Sequence, residues 1–296
     1  MPATARDLSA PPSERRLLRA APPLVVAGLL VAVYAPTLGW LVHRWSLGVW
    51  YHSHGFLVAP IALFLAWRVL RGLGPLPATA SAWGFVFLVP ALLLQIVDAA
   101  LRFEILSALS LVLIAPGLCL LFLGPVRTRA VWFPLFCLAF MIPVPKLVAE
   151  QVHLVLRQVS AVATEHTLGF IGYDVVREQT TLHLPFGSVQ IADACSGFNA
   201  LLVTVFAGCL LVYLGVTGWW RRLPRFATIL PAAVLANIVR CTVLVILIGG
   251  FDAGILNTWV HDFSGVCTFL CALLLLIGVE AAVRPKRHAT AAEAGP

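Results

Sequence analysis

Apolar residues in this chain come in long, nearly unbroken runs, without the three-to-four or two-residue rhythm of a water-soluble core. Eight such runs stand out, each bounded by charge or turn residues: Leu24 to Val42, Gly55 to Leu70, Ala82 to Ala99, Ile105 to Leu123, Ala130 to Val144, Ser196 to Val216, Phe226 to Gly249 and Val260 to Val283. A helix needs about 17 to 25 apolar residues to cross a bilayer, so the pattern predicts eight spans, the second and fifth of them short. The opening segment is polar and proline-rich, and the first run lacks a convincing cleavage site, which predicts an uncleaved anchor.

The pattern breaks once, between the fifth and sixth runs, over residues 145–194. Residues 146–171 carry Leu147, Val148, Val152, Leu154, Val155, Val159, Val162 and Ala163 among charges, which predicts an amphipathic helix lying along an interface. Thr180 to Ile191 then alternates about Pro185-Phe186-Gly187 and predicts a small β-hairpin. The fold class expected is therefore all-α: one integral membrane domain over residues 1–296, with about eight transmembrane helices and a small interruption between helices five and six.

Composition agrees, since 60% hydrophobic and 11% charged residues with a mean hydropathy of +0.96 cannot cover a water-soluble surface. The net charge of +7 reads as topology. Arg6, Arg15, Arg16, Arg19, Arg68, Arg71, Arg127, Arg129, Arg221, Arg222, Arg225, Arg284, Lys286 and Arg287 all fall on one side if both termini are cytoplasmic. That topology makes residues 1–20 and 284–296 cytoplasmic tails and 145–194 the extracytoplasmic segment. No nucleic-acid motif accompanies the charge. No low-complexity tract or second soluble domain is visible.

Six of the seven cysteines, Cys119, Cys137, Cys209, Cys241, Cys267 and Cys271, lie within apolar runs and read as small hydrophobes. Cys195 differs. In Asp193-Ala194-Cys195-Ser196-Gly197 it stands where the polar segment meets a helix start, and the positive end of a helix dipole favours the nucleophilic thiolate. Arg240 lies inside the seventh run, where a charge costs about 2.5 to 3.5 kcal/mol and is usually paired, cavity-facing or functional. It sits about 14 to 15 Å below the outer end at 1.5 Å per residue, within reach of the rim for its long side chain. His261 opens the last run on that same side. A thiol, a general base and a cation able to hold an oxyanion are the parts of acyl transfer. Asp193, Ser196, Asn237 and Asp262 are candidates to support them, though an acid beside a helix start is equally a cap.

Other features carry less. His52 and His54 are two residues apart with no further convincing ligand, so no metal or cofactor is expected. Trp45, Trp50 and Tyr51 read as interfacial anchors. Gly197, Ala200, Ala207 and Gly208 form a small-residue stripe suited to close helix packing, either within the chain or against another helix.

Ala194-Cys195-Ser196-Gly197, Asn237-x-x-Arg240 and His261-x-x-x-Gly265, in that order on consecutive spans, resemble the exosortase/archaeosortase family. The resemblance extends to Ser53-His54-Gly55-Phe56-Leu57-Val58 with Pro60, to Met141-Ile142-Pro143-Val144-Pro145 and to Val176-Arg177-Glu178. It implies a membrane-embedded cysteine protease or transpeptidase of the bacterial inner membrane, its site facing the periplasm. Its partners would be exported proteins with a C-terminal Pro-Glu-Pro-like motif, hydrophobic sorting helix and basic tail, together with membrane lipid. It also implies Cys195 as nucleophile, His261 as general acid/base and Arg240 as transition-state stabiliser, with His54 in a family motif. The chain has Asp193 where the family often has Glu, and Phe198-Asn199 where Leu-Arg is frequent. The resemblance thus implies the reaction class and leaves open the subfamily, the target motif and the acceptor. Two other classes stay open on the residues alone: a membrane transporter, and an acyltransferase acting on lipid or polysaccharide.

Overall fold

The computed structural model describes residues 12–47, 52–74, 79–191, 197–215, 219–251 and 259–283. They form two compact units, Met1–Pro143 and Val144–Pro296.

In the first unit, α1 (Pro12–Ser46), α2 (Gly55–Gly72), α3 (Phe85–Leu101, entered through a 3-10 turn at Ala82–Gly84) and α4 (Ile105–Phe122) are long helices. They turn Leu63, Phe64, Leu93 and Ile96 outward. Such a surface suits lipid, where a helix is stable because its backbone polar groups are satisfied within the segment. Little apolar driving force remains between helices in lipid, so close packing and hydrogen bonds must hold them together. Tyr34 of α1 donates to Ser110 Oγ of α4 at 2.6 Å, and Ser110 donates to the Ala91 carbonyl of α3, also at 2.6 Å. One buried hydroxyl chain thereby ties three helices. Near one end of α3, a Cβ on Gly84 would lie 2.6 Å from the Gly117 carbonyl of α4, so the two backbones meet there.

The fifth apolar run departs from expectation. A single span over Ala130 to Val144 is replaced by α5 (Gly124–Ala130), α6 (Trp132–Cys137) and a 3-10 turn (Leu138–Met141). Pro134, Pro143 and Pro145 each lack the N–H a continuous helix would use. Among the described residues, seven helices are long and apolar enough to cross a membrane, or up to eight if this broken stretch and the helix after it form one span. The chain is an all-α, multi-pass membrane protein with one small sheet.

The second unit comprises α7 (Lys146–Phe170), β1 (Val176–Glu178), β2 (Thr181–Leu184), β3 (Gly187–Gln190), α8 (Phe198–Gly215), α9 (Trp219–Phe251) and α10 (Trp259–Val283). The expected hairpin is β2–β3. It is joined by β1 in an antiparallel sheet of order β1-β2-β3, with Arg177 opposite Leu182 and Leu182 opposite Val189. β1 escaped the sequence reading because three residues are too few to show alternation.

The sheet buries Leu182, Leu184 and Ile191 in one cluster with Ala161 and Leu168 of α7 and Cys241 and Val245 of α9. Its turn is seated as well: a Cβ on Gly249 of α9 would lie 2.8 Å from the Phe186 ring. Arg177 fastens β1 to α7, its Nε donating to Glu165 Oε2 at 2.7 Å and an Nη to the Gln179 carbonyl at 3.0 Å. Elsewhere in the unit, Arg225 of α9 pairs with Glu280 of α10 at 2.7 Å, both largely buried. Gly208 of α8 packs against Ile229 of α9. That contact assigns Gly208 of the small-residue stripe to intramolecular packing.

Candidate active site

The centre of the second unit's site is one face of α9. Asn237, Arg240 and Cys241 lie three and four residues apart, which places them together on the helix surface. This face is buried: Asn237 is 4% and Arg240 6% exposed.

Asn237 is held from one side by α7, its Nδ2 donating to Ser160 Oγ at 3.0 Å. On another side it meets the chain entering α8. Gly197 has φ +73, and a Cβ there would fall on the Asn237 amide group, so the turn requires glycine for both conformation and space. The Gly197 carbonyl accepts the first bond of α8, from Leu201 N at 2.8 Å. Phe198 packs on the His153 ring of α7, centroids 4.7 Å apart. A helix therefore begins three residues after Cys195, slightly later than the predicted Ser196.

Arg240 reaches α10. Its Nε donates to Ser264 Oγ at 2.9 Å, while its Nη2 is buried without a hydrogen-bond partner, and no ion pair of Arg240 is found among the described residues. An unpaired guanidinium nitrogen in a buried place is costly, and it is the donor an oxyanion would use. Ser264 stands one turn from His261 on α10, so the bond links the helix of the candidate base to the helix of the candidate cation.

Asp193, Cys195 and Ser196 lie outside the described residues. His261 and Asp262 are in the first turn of α10, with their side chains also outside that description. Of the predicted site, Arg240 and Asn237 are brought together, and each touches a segment adjoining another predicted member. Ser160 and Ser264 were missed. Ser264 sits inside the His261-to-Gly265 run and could have been found from its i+3 spacing; nothing in the sequence marked Ser160.

His54 belongs to the first unit, next to the 3-10 turn before Pro143. Burial, then the neighbouring His52, push its pKa down to about 4, against a backbone hydrogen bond involving Phe140. The His52 and His54 rings lie 5.9 Å apart. Trp45, expected as an interfacial anchor, is instead 6% exposed: its indole donates to the Met141 carbonyl at 3.1 Å and covers Gly55, where no Cβ would fit. Gly55 and Met141 thus both pack against Trp45. Trp50 and Tyr51 lie outside the described residues. No cluster of three or more His, Cys, Asp or Glu side chains suited to a metal is found among the described residues.

The family model for transmembrane exosortases matches residues 45–278, well over half of the chain. The chain belongs to the transmembrane exosortase family. Exosortases are membrane proteins of the sorting transpeptidase and protease type, generally working through cysteine. The matched region takes in Trp45 with Gly55 and Met141, the sheet, and the α9 face with Asn237 and Arg240. No curated protein and no solved structure matches the chain.

Proposed function

We propose that this exosortase is a cysteine protease or transpeptidase of the bacterial inner membrane. It would remove the C-terminal sorting signal of exported proteins at a site facing the periplasm, with both termini cytoplasmic. The observation that carries the reading is the buried Arg240 Nη2, without a hydrogen-bond partner among the described residues, on the face of α9 that also holds Gly197. Gly197 is two residues from Cys195, and two residues of chain reach at most about 7 Å.

The substrate's hydrophobic helix lies against the spans in lipid, bringing its scissile peptide to the rim. Cys195 attacks the carbonyl carbon as thiolate, and Arg240 holds the negative charge that develops on the oxygen. His261 passes a proton to the leaving amine nitrogen, the C–N bond breaks, and a thioester to Cys195 remains. An acceptor amine or water attacks that thioester and returns the thiolate. Asn237, Asp193, Ser196 and Asp262 act as supports. No cofactor takes part.

The test is co-expression with a tagged exported protein carrying a Pro-Glu-Pro-type signal, scored for loss of its tail. Wild type is expected to process it, and Cys195→Ala, Arg240→Ala and His261→Ala, inserted at equal levels, are expected not to. Cleavage by Cys195→Ala would overturn the nucleophile assignment.

A further inference from the structure

β3 is an edge strand, and its open side is defined by the ladder. The Ile191 N–H donates to the Thr180 carbonyl at 2.9 Å. Hydrogen-bonded and non-bonded pairs alternate along an antiparallel ladder, so Leu182/Val189 and Leu184/Gly187 also exchange bonds with β2. The N–H and C=O groups of Ser188 and Gln190 consequently point away from the sheet. Both residues are exposed, and no main-chain bond of either to another segment is found among the described residues.

Proteins normally guard such an edge with Lys, proline, a bulge or a covering element. β1 at the other edge is strapped to α7 through Arg177 and Glu165. β3, Gly187-Ser188-Val189-Gln190, contains no Lys or proline, and Gly187, Ser188 and Gln190 are exposed, with no main-chain bond covering the edge found among the described residues. It is also rigid, because Val189 packs against the buried cluster that contains Ile191 and Val245. Its place in the chain matters most: Gln190 precedes Cys195 by five residues.

We propose that the open edge of β3 is the docking strand for the substrate. An extended stretch of the exported polypeptide adds to the sheet, main chain to main chain, through Ser188 and Gln190. This rests on the sorting-protease reading and specifies what the site recognises. Strand addition takes affinity from backbone bonds and specificity from alternate side chains. Five residues of chain reach at most about 17 Å, so a peptide paired at Gln190 has its scissile bond within about five residues of the paired stretch. Only every second substrate residue turns its N–H toward β3, so prolines at alternate positions lose no bond. A Pro-x-Pro stretch fits this edge, pairing through its middle residue.

The experiment replaces the outward N–H groups. Ser188→Pro and Gln190→Pro leave the β2 ladder intact and remove one donor each from the docking edge. Apparent KM for the tagged substrate is expected to rise roughly two- to tenfold per lost bond, with kcat and melting temperature little changed. In a Cys195→Ala background, Gln190→Cys is expected to form disulfides with single cysteines scanned along the substrate at every second position. Should proline unfold the sheet, that alternation decides alone. Wild-type KM in both proline variants, or cross-linking without alternation, overturns the proposal while wild type still processes. Failure of wild type to process any such substrate overturns the sorting reading, and the docking strand with it.

Discussion

Replacing Gly197 by alanine tests the site where its geometry is tightest. A residue with a Cβ at φ +73 carries about 1 to 2 kcal/mol of strain. The added carbon would also fall on the amide of Asn237, with Nδ2 2.9 Å away. Asn237 is buried and bonded to Ser160, so it cannot swing aside without breaking that bond. Overpacking of this kind costs about 1 to 3 kcal/mol. The two contributions together predict a loss of about 2 to 5 kcal/mol, measured as a fall in unfolding free energy in detergent. Processing of a tagged substrate is expected to fall about a hundredfold, since displacement near 1 Å at a reacting group has that effect.

A double-mutant cycle with Asn237→Ala separates the causes. Removing the amide relieves the collision and leaves the φ strain, so the pair is expected to couple by about 1 to 3 kcal/mol. Additivity within about 0.5 kcal/mol would show that the Cβ never meets Asn237. Gly197→Ala with wild-type stability and wild-type processing would refute the turn itself.

Three further outcomes are expected. Glu280→Gln removes the carboxylate from the buried pair with Arg225 and should cost about 3 to 5 kcal/mol in detergent unfolding, whereas Arg225→Met with Glu280→Leu should recover most of that loss. Ser264→Ala should lower kcat with KM unchanged, because Arg240 loses the acceptor that aims it, while the alkylation rate of Cys195 stays at the wild-type value and Ser264→Thr restores turnover. His54 has a folded pKa of about 4 against an ordinary 6.5, so the unfolded chain binds its proton more readily; stability should be full above about pH 6.5 and decline as pH falls toward 4. Melting curves across that window should lose much of their slope in His54→Gln.

The spans were legible because lipid imposes long apolar runs, and most boundaries follow from flanking charge or glycine. Failures came where a local signal is short or depends on tertiary contact. Proline broke the fifth run into α6 and a 3-10 turn, although its composition matched a span. Trp45 looked like an interfacial anchor by type and place, yet its indole is consumed by the Met141 carbonyl and the bare backbone at Gly55. Arg240 and Asn237 were readable because polar groups in an apolar run are costly and rare. Ser160 was not, since a serine in an amphipathic helix carries no such cost until its partner on α9 is known.

The second unit explains why one helix carries so much of this reading. Moving from Asn237 toward the C-terminal end of α9, the same face meets in turn Gly197 and Ser160 at Asn237, the sheet at Cys241 and Val245, and the β2–β3 turn at Gly249. Ile191 and Gly197, which bracket residues 192–196, both rest on that face. A peptide bound along β3 and a guanidinium on α9 would then share one rigid support. Catalysis gains most when the groups that bind and those that stabilise charge hold fixed relative positions. Substitutions that loosen the sheet from α9, such as Val245→Ala, should therefore lower kcat as well as raise KM. Those confined to the open edge of β3 should raise KM alone. Equal effects from both kinds of change would mean that the sheet and the Arg240 face do not act as one body.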